Sequence, residues 1–280
     1  TNGKFQGNNG WEMHAQQGFA HYPSLFVSEH RRALVIGLGT GTTLGTIASY
    51  PWQGVDIVEI SPSIARAAKQ HFGSINGNSL DDPRVKLHLA DGRNFLLLTT
   101  ERYGMVSMEL SSIWFAGASS LYSREFYRLV HSRLESGGVF QQWVQLHHIT
   151  RRDFATILHT LADEFENVAL FYGGGQGILV ASDRPLVASR AALERIEQNP
   201  RVRATMPGDR PLAALVEDVV VANDSLRRFV DDSAKESGVT VSELVSSDDN
   251  LYLEYATPRG NVLPWSTRDA LVATLRRYRD

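Results

Sequence analysis

Short apolar segments alternate with helix-like segments along residues 33–182, and this alternation constrains the fold more than any other feature. Five apolar segments have the length of a strand, namely 33–39, 54–60, 84–92, 104–110 and 138–146. Between or after them come segments predicted as helices, namely 42–51, 61–72, 123–134 and 150–165. Strands joined by helices imply right-handed crossovers, so the chain is predicted to be an α/β protein with a doubly wound, mostly parallel sheet.

The pattern changes at both ends of this region, and the first thirty residues, which are rich in Gly, Asn, Gln and His, show no clear period. Residues 167–182 contain two strand-like runs about a glycine turn, which predicts a closing antiparallel hairpin. Residues 186–245 look helical and charged without a strong strand signal, and 246–261 is predicted as loop and strand. The chain therefore divides into an N-terminal strand and substrate-side segment (1–30), a nucleoside-binding domain (31–185) and a helical C-terminal extension packing on that domain (186–280).

Composition excludes several functional classes. The formal net charge of −3 over 280 residues gives no electrostatic footprint for a nucleic-acid partner. The chain has no cysteine, so disulfides and thiolate metal sites are excluded. Its longest apolar runs are too short to span a bilayer. His147 and His148 are adjacent in sequence and would point opposite ways in a strand, and no other spacing suggests a metal site, so none is predicted.

The loop after the first predicted strand, GLGTGTT, favours a nucleoside ligand. Glycines at 37, 39 and 41 permit positive φ angles and close approach of a ligand to the backbone. The dinucleotide fingerprint would need a third glycine where Thr42 stands, so an adenosine ligand without a pyrophosphate is preferred. Glu59 ends the second strand 22 positions after Gly37, which suits it to accept hydrogen bonds from ribose hydroxyls.

Two further carboxylates end predicted strands. Asp91 ends the third strand, where it either accepts from an adenine amino group or caps the helix that begins near Asn94. Glu109 stands where the apolar run of the fourth strand gives way to Ser-Ser and a Trp-Phe pair. Because burying an unpaired carboxylate is expensive, Glu109 is predicted to have a chemical role, to pair with an arginine or to cap a loop.

Five stretches of the sequence together resemble the spermidine synthase family of polyamine aminopropyltransferases. They are LVIGLGTGTTL, VDIVEISPSI, DDPRVKLHLADGRNFL, LYSREFYRLVHSRLESGGVFQQW and the upstream GFAHYP. The resemblance runs from about residue 2 to about residue 143 and is weaker through residue 182. It implies a Rossmann-like, class I methyltransferase-like fold. It also implies transfer of an aminopropyl group from decarboxylated S-adenosylmethionine to a small-molecule amine, releasing methylthioadenosine.

The resemblance also assigns residues to roles. Glu109 falls where the family has the carboxylate taken to deprotonate the attacking amine. The implied cofactor-binding residues are Gln6, Gly37, Gly39, Thr40, Gly41, Glu59, Asp91 and Gly92. The implied substrate-binding residues are Gln16, His21, Ser112 and Trp114. Residues 2–6 would form the last strand of an N-terminal β-domain that is otherwise mostly absent.

Three positions depart from the family pattern. Thr40 replaces an aspartate that holds the aminopropyl ammonium, Ser112 replaces a second acid, and Ala15 replaces a tyrosine. Loss of two carboxylates predicts an acceptor that is less cationic or is held by other groups. Loss of the aspartate also removes a repulsion against undecarboxylated S-adenosylmethionine. Two alternatives therefore stay open: an S-adenosylmethionine-dependent methyltransferase, and a nucleoside-binding module that has lost catalysis.

Two other groups of residues have alternative roles. Trp114 and Phe115 either cover the sulfonium through cation–π contact or pack in the core. Asp248, Asp249 and Glu254 either replace the lost acids or form a solvated turn, and the solvated turn is favoured. The expected location is the cytoplasm. Attachment of a longer protein to a membrane and association into a homodimer are the partner alternatives.

Overall fold

The computed structural model describes residues 7–109, 113–115, 117–208, 210–263 and 267–279. Within these ranges, eight strands form a single sheet in the order β3-β2-β1-β4-β5-β7-β6-β8. The strands are β1 (Arg32–Ile36), β2 (Gly54–Glu59), β3 (Val85–Leu89), β4 (Tyr103–Met108), β5 (Leu134–Val144), β6 (Asn167–Gly173), β7 (Gln176–Ser182) and β8 (Val219–Ala222).

The sheet confirms the predicted fold class. β1 to β5 pair in parallel, and β7 pairs antiparallel with both β5 and β6. The hairpin does not form the edge, however, because β8 pairs antiparallel with β6 outside it. The absence of a strand from 186–245 was therefore a wrong prediction. The four residues of β8 are too few to give a clear alternating pattern.

Helices cover both faces of the sheet. They are α1 (Glu12–Ser24), α2 (Thr42–Ser49), α3 (Pro62–His71), α4 (Gly73–Asn76), α5 (Gly92–Leu98), α6 (Arg124–Arg133), α7 (Arg151–Ala162), α8 (Arg190–Glu197), α9 (Pro200–Arg203), α10 (Asn223–Ser237), α11 (Tyr252–Ala256) and α12 (Thr267–Arg276). Short 3-10 helices lie at Ser79–Asp81, Ala118–Tyr122, Leu212–Asp218, Val241–Glu243 and Thr257–Val262.

Two helices lie where the sequence predicted something else. α1 occupies the segment that showed no period, because residues 15–24 are buried all round and leave no polar face to mark a helix. α11 occupies part of the predicted loop-and-strand segment, where one buried residue, Leu253, anchors a single helical turn. The predicted strand at 2–6 lies outside the described residues.

The core has two layers because successive strand residues face opposite sides of the sheet. Leu34 and Ile36 of β1 pack in the layer beneath α6, α7 and α10, and Ala33 and Val35 pack in the layer beneath α1 and α2. α1 also packs directly on α2. This contact brings the N-terminal helix next to the loop that leads into α2. In the described part of the chain, none of the helices is both long enough and apolar enough to cross a membrane.

Candidate active site

The carboxyl ends of β2, β1 and β4 meet at one edge of the sheet, because these parallel strands are neighbours. This edge holds Glu59 at the end of β2, the glycine loop after β1, and Glu109 directly after β4. In open α/β sheets, ligands bind beyond this edge. The structure therefore brings together three of the features that the sequence singled out.

The glycine loop has the backbone that its sequence predicts. Gly37, Gly39 and Gly41 all have positive φ, at 91°, 53° and 82°. Asn76 at the end of α4 supports the loop, since its Nδ2 donates to the carbonyl oxygen of Thr40 at 3.0 Å. Sequence analysis missed Asn76, because a lone asparagine in a polar segment gives no signal of this contact.

Glu59 connects the loop after β1 with the start of α3. Its Oε2 accepts from the backbone N–H of Leu38 at 3.0 Å, and its Oε1 accepts from that of Ser61 at 2.8 Å. A carboxylate oxygen has two lone-pair sites, so each oxygen keeps capacity for another donor such as a ribose hydroxyl. Binding of a nucleoside through this capacity stays a prediction.

Asp91 and Gly92 lie at the start of α5. Asp91 is the N-cap residue, since its Oδ1 accepts from the backbone N–H of Asn94 at 2.8 Å. The capping role left open by the sequence is thus present, and contact with an adenine stays a prediction. Gly92 is required by packing, because a Cβ there would lie 2.4 Å from Cγ2 of Ile36.

Glu109 is held by two side chains from different helices. Gln16 of α1 donates through Nε2 to Oε1 of Glu109 at 2.8 Å. Thr43 of α2 donates through Oγ1 to Oε2 at 2.7 Å. The two carboxylate oxygens are therefore fixed in position by neutral donors rather than by a cation. Sequence analysis named Gln16 only for substrate binding, which stays a prediction, and it missed Thr43, which looked like an ordinary first-turn residue of α2.

The surroundings of Glu109 make it a base that titrates near neutrality. The pKa of its carboxyl is raised from the ordinary 4.5 to about 7, mainly by burial and to a smaller extent by the nearby charges of Glu12 and Glu59. The hydrogen bonds from Thr43 and Gln16 oppose this rise. A carboxyl with a pKa near the working pH is suited to accept and release a proton.

Thr43 is placed to respond to the protonation state of Glu109. Its Oγ1 lies 2.7 Å from Glu109 Oε2 and 3.0 Å from the backbone oxygen of Gln16. A hydroxyl has one proton, so Thr43 donates to only one of these oxygens at a time. When Glu109 gains a proton, Thr43 can turn its own proton to Gln16 and accept from Glu109. The network thus accommodates both states of the base.

The neutral Thr40 is part of the same network. Its Oγ1 donates to Oε1 of Gln16 at 3.1 Å and lies 2.9 Å from Oγ1 of Thr42. Position 40 is therefore occupied by a buried hydroxyl already engaged with protein groups. The acid that the family places here is absent from the loop.

His21 is not brought to this cluster, and its role in substrate binding stays a prediction. The residue is fully buried. Its Nδ1 lies 2.7 Å from the hydroxyl of Tyr50, and its Nε2 lies 2.9 Å from the carbonyl oxygen of Thr205. Both ring nitrogens are thus occupied by protein groups. His21 is five residues after Gln16 on α1, which turns it toward a different side of the helix.

The remaining predicted residues are Trp114, Gln6 and Ser112. Trp114 is half-buried, and its ring packs edge-on against the rings of His147 and His148, each with centroids 6.2 Å away. Contact of Trp114 with a substrate stays a prediction. Gln6 and Ser112 lie outside the described residues, so the structure places neither. Among the residues described, no group of three or more metal-ligating side chains is found.

Asp248 and Asp249 lie in a turn, as the sequence favoured, but two of the three C-terminal acids are bound to other parts of the chain. Asp248 is ion-paired with Arg93, whose Nη1 donates to Oδ1 at 2.9 Å and also to the carbonyl oxygen of Ser120 at 3.2 Å. Glu254 accepts from the backbone N–H of Gly117 at 3.0 Å and from the hydroxyl of Ser119. The C-terminal segment therefore folds back onto the loop after β4. Asp249 is exposed.

The sheet order and the position of the glycine loop define a protein of the class I methyltransferase-like fold. The solved spermidine synthase of Thermotoga maritima is similar, with a TM-score of 0.64 at 15% identity over 80% of this chain and 75% of that one. Human methyltransferase-like protein 13, solved in complex with SAH, has a TM-score of 0.50 at 20% identity over 73% of this chain and 95% of that one. At these identities the likenesses show the fold alone.

Sequence comparison shows the family. The family model of the spermine/spermidine synthase domain matches residues 12–173, which is more than half of the chain. The chain therefore belongs to the spermine/spermidine synthase family, as its sequence motifs predicted.

Curated proteins similar to this chain are named polyamine aminopropyltransferases. The chain is 30% identical over 150 residues to a polyamine aminopropyltransferase of Korarchaeum cryptofilum, covering 53% of this chain and 46% of that one. It is 29% identical over 198 residues to the polyamine aminopropyltransferase of Nitrosomonas europaea, covering 67% of this chain and 61% of that one. The chain thus spans about half of the length of these relatives.

Proposed function

We propose that the chain is a transferase that moves an aminopropyl-type group from an S-adenosyl sulfonium to a small-molecule amine. Membership of the family supports this function, and the curated relatives are named polyamine aminopropyltransferases. A solved relative in the family fold, a spermidine synthase, was crystallised with the transition-state analogue AdoDATO. The observation that carries the proposal is the Glu109 carboxylate, fixed at the strand edge by Gln16 and Thr43.

The residues at the edge fit a cationic nucleoside. Glu59 keeps lone pairs free for ribose hydroxyls, and the charges of Glu12 and Glu59 both act on Glu109. A group of carboxylates with no arginine or lysine bound to any of them in the described structure favours a positively charged ligand. A sulfonium with an adenosine moiety meets both requirements.

Glu109 supplies the base that the chemistry needs. An alkylammonium has no free lone pair, so Glu109 accepts a proton from it before displacement. The freed nitrogen then forms a bond to the carbon next to the sulfur, and the carbon–sulfur bond breaks. The electron pair of that bond stays on the sulfur, and methylthioadenosine is released. Gln16 and Thr43 hold both oxygens of Glu109 throughout this step.

Methyl transfer from S-adenosylmethionine is the second candidate. The neutral, buried Thr40 favours it, because a hydroxyl at this position does not repel the carboxylate of that donor. The two candidate functions use different donors, and the nucleoside product released distinguishes between them. A nucleoside-binding module without catalysis is the remaining alternative.

Incubation with each sulfonium and a panel of amines, followed by mass spectrometry, tests the function. Methylthioadenosine together with an aminopropylated amine supports the first candidate. S-adenosylhomocysteine together with a methylated product supports the second. Binding of the nucleosides without any product leaves the non-catalytic module. Glu109→Gln is expected to abolish turnover and to spare nucleoside binding, and Glu101→Gln, an exposed carboxylate elsewhere, is the matched control.

Only the resemblance to the family supports the expected location, assembly and membrane attachment. A cytoplasmic location, association into a homodimer and attachment of a longer protein to a membrane all stay predictions. Size-exclusion chromatography with light scattering on the purified chain tests the homodimer.

A further inference from the structure

Thr43, the second residue of α2, is buried against the candidate base. Its Oγ1 lies 2.7 Å from Oε2 of Glu109 and 3.0 Å from the backbone oxygen of Gln16. The other carboxylate oxygen, Oε1, accepts from Nε2 of Gln16 at 2.8 Å. The base therefore has a hydroxyl donor on one oxygen and an amide donor on the other, and these two donors respond differently when Glu109 gains a proton.

The amide of Gln16 is held in its donating orientation. Its Oε1 accepts from Oγ1 of Thr40 at 3.1 Å, and Thr40 in turn contacts Oγ1 of Thr42 at 2.9 Å. To accept a proton from Oε1 of Glu109, Gln16 would have to rotate its whole amide. The hydroxyl hydrogens of Thr40 and Thr42 would have to rearrange with it. A buried amide bonded at both ends makes this change only by breaking both bonds.

The hydroxyl of Thr43 reverses its role much more easily. A hydroxyl both donates and accepts, and it turns by moving its hydrogen alone. While Glu109 is ionised, Thr43 donates to Oε2. When Oε2 carries a proton, Thr43 accepts from it and donates to the backbone oxygen of Gln16 instead. A proton therefore fits into the network on Oε2 without loss of a hydrogen bond, whereas on Oε1 it faces the N–H of Gln16.

We propose that Thr43 is a positioning residue that holds Glu109 in its proton-accepting form and directs the proton of the amine to Oε2. This inference rests on the proposed function and adds to it the atom that receives the proton. A nitrogen–hydrogen bond of the ammonium breaks, and its electron pair stays on the nitrogen. The proton forms a bond to Oε2 of Glu109, and the hydroxyl hydrogen of Thr43 turns to Gln16.

The charges around the base make the hydrogen bond from Thr43 important. Burial raises the pKa of Glu109 to about 7, and the negative charges of Glu12 on α1 and Glu59 at the end of β2 act in the same direction. The glycine loop and α2, residues 37–49, contain no charged residue that could oppose this rise. Of the two hydrogen bonds that lower the pKa, the one from Thr43 has the larger effect. Loss of this hydroxyl should therefore favour the protonated base.

Carbon-13 NMR of the Glu109 carboxyl in the ligand-free chain tests the assignment without requiring turnover. Glu109→Gln identifies the signal by its absence. Thr43→Val replaces the hydroxyl with a methyl group, so the midpoint of the Glu109 titration should rise by about one pH unit. Thr43→Ser keeps the hydroxyl and should titrate like wild type. Thr46→Val is the matched control, because Thr46 is buried in the same helix and its hydroxyl donates to the carbonyl oxygen of Thr42 rather than to the base.

The pH dependence of turnover gives a second readout of the same effect. A midpoint raised by about one unit lowers the ionised fraction of Glu109 at pH 7 from about a half to about a tenth. In Thr43→Val, kcat/KM at pH 7 should therefore fall about fivefold, and the loss should shrink at higher pH. Affinity for methylthioadenosine should stay unchanged, because Thr43 acts through the base and not through the nucleoside.

Three results would overturn the assignment. An unchanged titration midpoint in Thr43→Val is the first, and Thr43→Ala, which also lacks the hydroxyl, is measured instead where the valine variant does not fold. An equal shift in Thr43→Ser or in Thr46→Val would assign the effect to the packing of α2 rather than to the hydroxyl. A wild type that titrates near pH 7 but gives no product with any sulfonium and amine overturns the proposed function instead, and the midpoints still decide whether Thr43 controls the protonation of Glu109.

Discussion

The backbone oxygen of Glu109 fills the space that a side chain at position 37 would need. A Cβ at Gly37 would lie 2.2 Å from this oxygen, and Gly37 has a φ of 91°. The N–H of Glu109 also donates to the carbonyl oxygen of Ile36 at 3.0 Å. The glycine loop and the candidate base are therefore in direct backbone contact, and a change in one must move the other.

Gly37→Ala should reduce both stability and turnover. The Cβ of an alanine would clash with the backbone oxygen of Glu109, and the positive φ at position 37 would be strained for alanine. The loop must therefore shift away from β4, at a cost of about 3 kcal/mol or more in stability. Gly77→Ala is the control, because Gly77 has a φ of 63° but no atom within 4 Å of its Cβ position. That variant should lose only about 1 kcal/mol from its strained φ. Urea unfolding and steady-state kinetics give both quantities, and equal losses in the two variants would contradict the contact.

Turnover should depend on the ionisation of Glu109. Its pKa of about 7 means that the base is protonated below that pH, so kcat/KM should rise with pH through about 7. A bound cationic donor stabilises the carboxylate, so the corresponding limb of kcat should lie at lower pH. The pH–rate profiles of the wild type with saturating and limiting donor measure both limbs. A flat profile between pH 5 and 8 would remove Glu109 as the base.

The raised pKa of Glu109 should also make the stability of the protein depend on pH. The folded carboxyl binds its proton more tightly than the unfolded one, whose pKa is near 4.5. The stabilisation is present below about 4.5 and is lost as pH rises through about 7. Glu109→Gln removes this loss, so at pH 8 it should be more stable than wild type by an amount on the order of 2 kcal/mol. The difference should shrink toward pH 5, and a pH-independent difference in urea unfolding would contradict the shifted pKa.

The sequence predicted those parts of the fold and site that depend on local pattern. Apolar runs predicted the parallel strands and thereby the acids that end them. Closely spaced glycines after the first strand predicted the glycine loop, because a turn with positive φ requires them. The sequence did not predict contacts made at long range between unremarkable residues. Thr43 reaches Glu109 because α2 starts just after β1, which is the neighbour of β4, and Glu254 reaches Gly117 across more than one hundred residues of chain. His21 looked functional because a family motif includes it. Only the packing of the folded chain shows that its ring nitrogens contact the Tyr50 hydroxyl and the Thr205 carbonyl oxygen.

His21 should prove to be a stability residue. Burial lowers the pKa of its imidazole from 6.5 to about 4, so the unfolded chain binds a proton that the folded chain does not. The stability that neutral His21 contributes is present above about 6.5 and is lost as pH falls toward 4. His21→Leu removes the imidazole that contacts the Tyr50 hydroxyl and the Thr205 carbonyl, so it should cost about 3 kcal/mol at pH 7.

Two measurements separate this role from substrate binding. His21→Leu should leave the KM of the amine unchanged at a temperature where the variant is folded. A double-mutant cycle with Tyr50→Phe should show coupling between the two residues in urea unfolding, because their side chains share a hydrogen bond. A raised KM together with no coupling to Tyr50 would restore the role in substrate binding that the family motif implied.

Glu254 should fix the described part of the loop after β4. Its carboxylate accepts from the N–H of Gly117 and the hydroxyl of Ser119, and these are the contacts that tie α11 to this loop. Glu254→Ala removes both, so hydrogen exchange at the Gly117 amide should speed up by about tenfold. Glu254→Gln keeps an acceptor oxygen and should show an intermediate rate. Glu236→Ala, which removes an exposed glutamate paired with Arg151, is the control and should leave Gly117 unchanged. Equal exchange at Gly117 in wild type and Glu254→Ala would show that the loop holds its position without the C-terminal segment.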